Sequence, residues 1–313
     1  MFVDEMSETV ARLRAPVCVG LDPMLEYIPA SFLVAAGTGP DADGVMSAEV
    51  ASLVAERYCK FVIDAVSGLV GIVKPQVAHF ELFGSCGIAA LERTIRFAKD
   101  RGMLVILDAK RGDIGSTSDA YARAYLARRP PGGAEIDALT VAPYLGRDSL
   151  QPFFRRANEW GKGIFVCART SNPEAGTIQD LLGEDGRRVY EVVADFVNEQ
   201  CEDAGPSDSG YCNCGLVVGA TAGSHVSALR KRCPRAFFLV PGVGAQGGSF
   251  ETVAECFDRR GSGAIVSVSR AIMYPDRFGP CDEVTADTIR AAAQAVIDSV
   301  RAVCYRGAER VIS

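Results

Sequence analysis

The chain is expected to fold as a single (β/α)8 barrel. Three features predict it: eight short apolar runs along the sequence, segments of helical period between most of them, and ionisable residues gathered just after the runs. Runs that are apolar on both faces belong to parallel sheets covered by helices. Strand and helix in alternation then leave a closed barrel or an open doubly wound sheet. No G-x-G-x-x-G follows the first run, which counts against the open dinucleotide-binding sheet. A length of 313 residues suits one barrel domain spanning residues 1–313.

The strands are expected at residues 17–21, 69–73, 103–107, 139–142, 164–167, 216–218, 237–240 and 265–268. Helical period marks residues 87–101, 250–259 and 285–303. In the last of these Ile289, Ala292, Val296, Val300 and Val303 share one face. Three polar stretches read as loops: 36–44 as a surface insertion, 171–187 after the fifth strand as either a lid or a plain disordered loop, and 202–213 before the sixth.

Composition excludes several functions. A net charge of −6 argues against a nucleic-acid partner, which requires a basic face, yet leaves room for a local anion site. No run is long enough to span a membrane, and residues 1–15 carry acids where a signal peptide has an apolar core. Of the eleven cysteines most sit in apolar segments, including Cys18, Cys59, Cys167, Cys256 and Cys304, and are expected to be buried reduced thiols. Cys212 and Cys214 form C-x-C, and the two histidines, His79 and His225, lack metal spacing; no metal site is expected. The cysteine usage and the lack of an address signal suggest the cytoplasm, with an organelle left open.

The chemistry is concentrated where the third strand ends, in Met103-Leu-Val-Ile-Leu-Asp108-Ala-Lys110-Arg-Gly-Asp113-Ile-Gly-Ser-Thr117. Alternation along a strand points Asp108 and Lys110 the same way. Burying unpaired charge is costly, so a carboxylate and an ammonium side by side behind five apolar residues suggest a chemical device more than a surface salt bridge. Other strand ends carry Asp22 before Pro23, Lys74 before Pro75 and Gln76, the glycine-rich stretch 241–248, and Ser269-Arg270. Barrel phosphate sites use the loops after strands seven and eight. Glycines there let backbone N–H groups approach an anion, and the Arg270 guanidinium can grip one.

Together these residues resemble orotidine 5′-monophosphate decarboxylases. D-x-K-x-x-D at 108–113, in the form Asp-Ala-Lys-Arg-Gly-Asp-Ile-Gly-Ser-Thr, is similar to one bacterial-type branch, and Val19-Gly-Leu-Asp22-Pro, Lys74-Pro-Gln, Val218-Gly-Ala-Thr221, Pro241-Gly-Val-Gly and Ser269-Arg270 follow in the expected order. The resemblance implies conversion of orotidine 5′-monophosphate to uridine 5′-monophosphate and CO2, with neither metal nor organic cofactor. It implies a Lys74-Asp108-Lys110-Asp113 array with Lys110 protonating C6. Asp22, with Lys74, would hold ribose hydroxyls. Gln246, Arg270 and the Gly244 region would hold phosphate. Ser171 would meet the pyrimidine edge, with Thr170 and Asn172 as adjacent alternatives. Asp113 and Thr117 would reach into a neighbouring subunit's site, which implies a homodimer. Some members are fused to orotate phosphoribosyltransferase; this chain is too short for both and has no evident phosphoribosyl-pyrophosphate motif.

Two rivals share parts of the pattern. Sugar-phosphate members of the superfamily carry D-x-K-x-x-D but use Mg²⁺, for which Lys74 is a poor neighbour. A catalytically inert nucleotide-binding module would keep the glycine and arginine phosphate site and lose the charged array, which is intact here.

Overall fold

The computed structural model describes residues 1–34, 46–130, 133–243, 247–278 and 284–304. Eight parallel strands close into a barrel in sequence order: β1 Val17–Leu21, β2 Ile72–Pro75, β3 Leu104–Arg111, β4 Ala138–Val141, β5 Gly163–Arg169, β6 Cys212–Val218, β7 Ala236–Pro241 and β8 Ala264–Val268. The ring is sealed by β1 against β8, with Val17, Cys18 and Val19 beside Val266, Ser267 and Val268. Each strand overlaps an expected apolar run, β2 by only residues 72 and 73. The expected loop at 36–44 lies outside the described residues.

Two apolar layers explain the double-sided burial. Inside the barrel, Cys18, Ile72, Ile106, Phe165, Phe237 and Ile265 pack on one another. Outside, strand residues such as Val19, Val73 and Val105 pack against the helices. The closing helix Ala286–Cys304 buries Ile289, Ala293, Ile297, Val300 and Val303 and packs on helix Ala48–Val66. Its buried stripe therefore runs through Ala293 and Ile297, leaving the expected Ala292 and Val296 half-buried at its edge.

Helix Phe2–Leu13 plugs the amino-terminal end of the barrel. Phe2, Val3 and Met6 are buried within the interior layer, and the Val3 N–H donates to Asn213 Oδ1 at 3.1 Å. The plug requires Gly163, because a Cβ there would stand 2.2 Å from the Phe2 ring.

Several boundaries differ from expectation for local reasons. β3 runs on through Asp108–Arg111 because the Thr140 hydroxyl of β4 accepts the N–H groups of Ala109 and Lys110 at 3.0 and 2.9 Å. Within it Lys110 takes φ 45°, a left-handed conformation that is costly outside glycine. Asp108 and Lys110 thus face one site through a break in the strand's alternation, where regular pleating was expected. Helix Val189–Ala204 shortens the loop before β6 to residues 205–211. It also lays Cys201 over β6, where Cys201 and Cys212 form a disulfide with Cα atoms 5.4 Å apart. That departs from the general expectation of reduced thiols; of the cysteines expected to be buried, Cys18, Cys59 and Cys256 are free and buried, Cys304 is buried, and Cys167 is only half-buried. Among the described residues no helix is long and apolar enough to cross a membrane.

Candidate active site

A cavity of about 390 Å³ opens at the carboxyl ends of the strands, where barrel chemistry is normally placed. At its floor stands Asp108, 7% exposed. Its Oδ2 accepts from Lys74 Nζ at 2.8 Å and Gln76 Nε2 at 3.1 Å; its Oδ1 accepts from Lys110 Nζ at 2.6 Å and the Thr140 hydroxyl at 2.9 Å. Three strands thus converge on one carboxylate: β3 carries it and, through the left-handed Lys110, returns a second ammonium to it, while β2, with Gln76 just past its end, and β4 orient it.

The electrostatics follow from this enclosure. Burial pushes the Asp108 carboxyl up, but the charges of Lys74 and Lys110 outweigh it and hold the group well below the ordinary carboxylate range. Burial likewise pushes Lys74 down, and the carboxylates of Asp108 and Asp22 outweigh it, holding the ammonium above the usual lysine range. The two ammonium groups differ in access. The Lys74 side chain is 7% exposed and that of Lys110 48%, so only Lys110 presents its ammonium to the opening. Burial pushes the nearby Cys18 thiol up to about 12, which leaves it inert at neutral pH.

The expected site residues divide into three groups. Asp22, Lys74, Asp108, Lys110, Ser171 and Arg270 line the cavity together. Among the described residues Asp22 Oδ1 is buried without a hydrogen-bond partner, a state that suits a position completed by a ligand. Thr170 is held by Gln179 at 2.8 Å and by Asn172 at 2.7 Å, whereas the Ser171 hydroxyl makes no hydrogen bond among the described residues. Gly219 permits this approach, since a Cβ there would stand 2.7 Å from the Ser171 backbone.

Asp113 and Thr117 are not brought to this cavity within one chain. Asp113 Oδ1 accepts from the Ile114 N–H at 2.7 Å, and Thr117 is exposed in the first turn of helix Gly115–Leu126. Ile114 beside them is 59% exposed, and Tyr144 on the neighbouring loop after β4 is 81% exposed. Gly244 and Gln246 lie outside the described residues. The segment after β5, expected as either a lid or a plain disordered loop, is pinned by a two-point ion pair from Arg169 to Asp180 at 3.0 and 3.1 Å.

Gln76 and Thr140 complete the array; Gln76 was read from sequence only as part of the strand end Lys74-Pro-Gln, without a role, and Thr140 was not singled out. Gln76 had a signal in its position two residues past Lys74. Thr140 had one as the lone polar residue in the apolar run of β4. Among the described residues no three His, Cys, Asp or Glu side chains gather to hold a metal ion.

Charged groups placed at strand ends around a pocket are the arrangement of an enzyme of the (β/α)8 class. The chain belongs to the Orotidine 5′-phosphate decarboxylase / HUMPS family, whose model matches residues 15–276. An orotidine 5′-phosphate decarboxylase of Rhodopirellula baltica is 44% identical over 279 residues, covering 87% of this chain and 88% of that protein. The structure of Leishmania donovani OMP decarboxylase superposes with a TM-score of 0.73 at 33% identity, covering 97% of this chain and 98% of the other. That of Leishmania donovani UMP synthase gives 0.75 at 34% identity, with 97% of this chain matching 56% of the longer one.

Proposed function

We propose that this chain decarboxylates orotidine 5′-monophosphate to uridine 5′-monophosphate and CO2 in pyrimidine biosynthesis, as one barrel domain using neither metal nor organic cofactor. The observation that carries the reading is the Asp108 carboxylate, buried and ionised between two ammonium groups at the floor of the cavity. Loss of CO2 from C6 leaves a carbanion with no adjacent electron sink. The protein must therefore stabilise it by charge already in place. Lys110, the accessible ammonium, faces the developing negative charge and delivers its proton to C6. Asp108 lies beside the departing carboxylate, and their repulsion is relieved as CO2 leaves. Lys74, set deeper in the cavity wall, fixes Asp108 and assists Asp22 at the ribose. Asp22 takes ribose hydroxyls on its open oxygen, Ser171 the pyrimidine edge, and Arg270, with Gln246 and the Gly244 backbone, the phosphate.

Asp113 completes the array from a second subunit, with Thr117 beside it, in a homodimer. The exposure of Thr117, Ile114 and Tyr144, beside the half-buried Asp113, supports this reading. The substrate comes from an orotate phosphoribosyltransferase, as a separate chain or a fused domain, and the buried free thiols suit a cytoplasmic setting.

The test is loss of the orotate absorbance on adding the nucleotide, with and without EDTA. Rapid loss unaffected by EDTA is expected; activity only with Mg²⁺ and a keto-sugar phosphate would move the chain to the sugar-phosphate branch. Mixing Asp113→Ala with Lys110→Ala subunits should restore part of the activity, since one site of the mixed dimer keeps both residues. No recovery would count against a shared site.

A further inference from the structure

The segment after β8 does more than present Arg270. Two residues at its end, Met273 and Tyr274, are fully buried and grip the backbone of Asp22 across the seam of the barrel. The Asp22 N–H donates to Met273 Sδ at 3.2 Å. The Tyr274 hydroxyl donates to the Asp22 carbonyl at 2.8 Å and accepts from the Met24 N–H at 2.8 Å. Between these last two groups lies Pro23, which has no N–H and restricts Asp22 to extended conformations. The phenol therefore bridges the whole Asp22-Pro23-Met24 turn.

The bridge is rigid because its ring cannot move. Tyr274 stacks on Tyr58 with centroids 5.5 Å apart and meets Tyr27 edge-on at 5.5 Å. The Tyr58 hydroxyl in turn donates to the Met273 carbonyl. Burial pushes the Tyr274 phenol far above its usual range, so it stays protonated and able to donate.

We infer that Tyr274, with Met273, is a positioning pair: it holds the Asp22 carboxylate over the cavity and ties it to the short helix Arg270–Met273 that carries Arg270. Without such a clamp the unpartnered Asp22 Oδ1 could swing toward solvent and gain hydration. With it, the carboxylate is held ready for the sugar before the ligand arrives. Binding then avoids the ordering cost that a mobile loop would add. The inference rests on the reading of Asp22 as the ribose-binding group.

Steady-state kinetics on the full-length chain with orotidine 5′-monophosphate, together with direct titration of uridine 5′-monophosphate, test it in a double-mutant cycle. Tyr274→Phe keeps the ring and removes the bridge. It should raise KM and the Kd for uridine 5′-monophosphate about tenfold with kcat changed far less, the scale of one positioned hydrogen bond. In an Asp22→Ala background the same substitution should change either constant less than twofold, because nothing remains to be positioned. Met273→Leu, which removes only the sulfur acceptor, should show the same dependence on Asp22 at smaller size. If Asp22→Ala is costly while Tyr274→Phe and Met273→Leu leave KM and Kd unchanged, or cost as much without Asp22 as with it, the positioning role is overturned. If Asp22→Ala itself leaves both constants unchanged, the ribose assignment of Asp22 fails instead, and the inference falls with it.

Discussion

At the amino-terminal end of the barrel, Phe2, Val3 and Met6 fill the opening and Asn213 satisfies the Val3 N–H. Nearby, Arg230 donates to the carbonyls of Cys233, Ala236, Cys256 and Gly263 at 2.8 to 3.1 Å. At the carboxyl end, Asp22 keeps an unpartnered oxygen, Lys110 holds a left-handed backbone, and two ammonium groups crowd one carboxylate. One end packs apolar side chains and pairs most of its polar groups, Ser7 Oγ excepted among the described residues; the other leaves Asp22 open and stores strain. A closed ring of strands makes the division possible, since the strands carry rigidity from the sealed end to the open one. Residues at the first end should therefore govern stability, and those at the second turnover.

The largest effect expected is at the open end. Lys110→Ala should lower kcat by at least about a thousandfold, the scale of losing a placed charge in a site closed to water. Uridine 5′-monophosphate should still bind and the melting temperature should barely change. Turnover within a few-fold of the parent would break the comparison, since the accessible ammonium would then be dispensable. The reciprocal change is Phe2→Ala at the sealed end. It should cost about 3 kcal/mol or more by denaturant unfolding, as expected for an emptied aromatic site, with kcat and KM unaltered well below the transition. A kinetic defect there would mean that the plug reaches into the chemistry.

A third test uses pH. Asp108 titrates lower in the fold than in the unfolded chain, so its contribution to stability is complete above about pH 4 and drains away as pH falls through the depressed folded value. Lys74 is raised, so its contribution is complete below about pH 10 and is lost as pH rises through the folded value. Both groups therefore keep their charge between these limits, and kcat should show no inflection from Asp108 or Lys74 from about pH 5 to pH 9. An inflection inside that range that moves with Gln76→Ala or Thr140→Val would show the array to be less firmly ionised than its geometry implies. The smallest effect separates side chain from backbone at one position. Lys110→Gly and Lys110→Ala both remove the ammonium, but only alanine keeps a Cβ at φ 45°. The glycine variant should be more stable by about 1 kcal/mol. Equal stabilities would mean that the backbone there relaxes once the salt bridge is gone.

Much of this was legible in the sequence, and the unequal parts have physical causes. Strands buried on both faces leave an uninterrupted apolar signature, so all eight strand positions could be read, while their ends depended on contacts made across the barrel. β3 outruns its apolar stretch only because Thr140, about thirty residues later, accepts two of its N–H groups. Asp22, Lys74, Asp108, Lys110 and Arg270 could be placed because each stands just past an apolar run. Gln76 and Thr140 act through Asp108 and bear no mark of their own beyond being polar among apolar neighbours. The Cys201 and Cys212 pairing depends on how a helix lies on a strand, which spacing does not encode. Asp113 and Thr117 could be placed on the motif but not in the cavity, because one chain alone does not bring them there.

The pairing of β1 with β8 also sets the order in which a working molecule can come into being. Val17 emerges from the ribosome long before Val266, its neighbour in the ring, and a closed sheet has no stable open-edged version to wait in. Contacts this remote in sequence are slow to form. Asp22 is among the first site residues synthesised, and Arg270, Met273 and Tyr274 are among the last. The pocket can therefore be assembled only once β8 and the segment after it have been made, and a nascent chain stalled short of β8 would hold most of the charged array with no ring to support it.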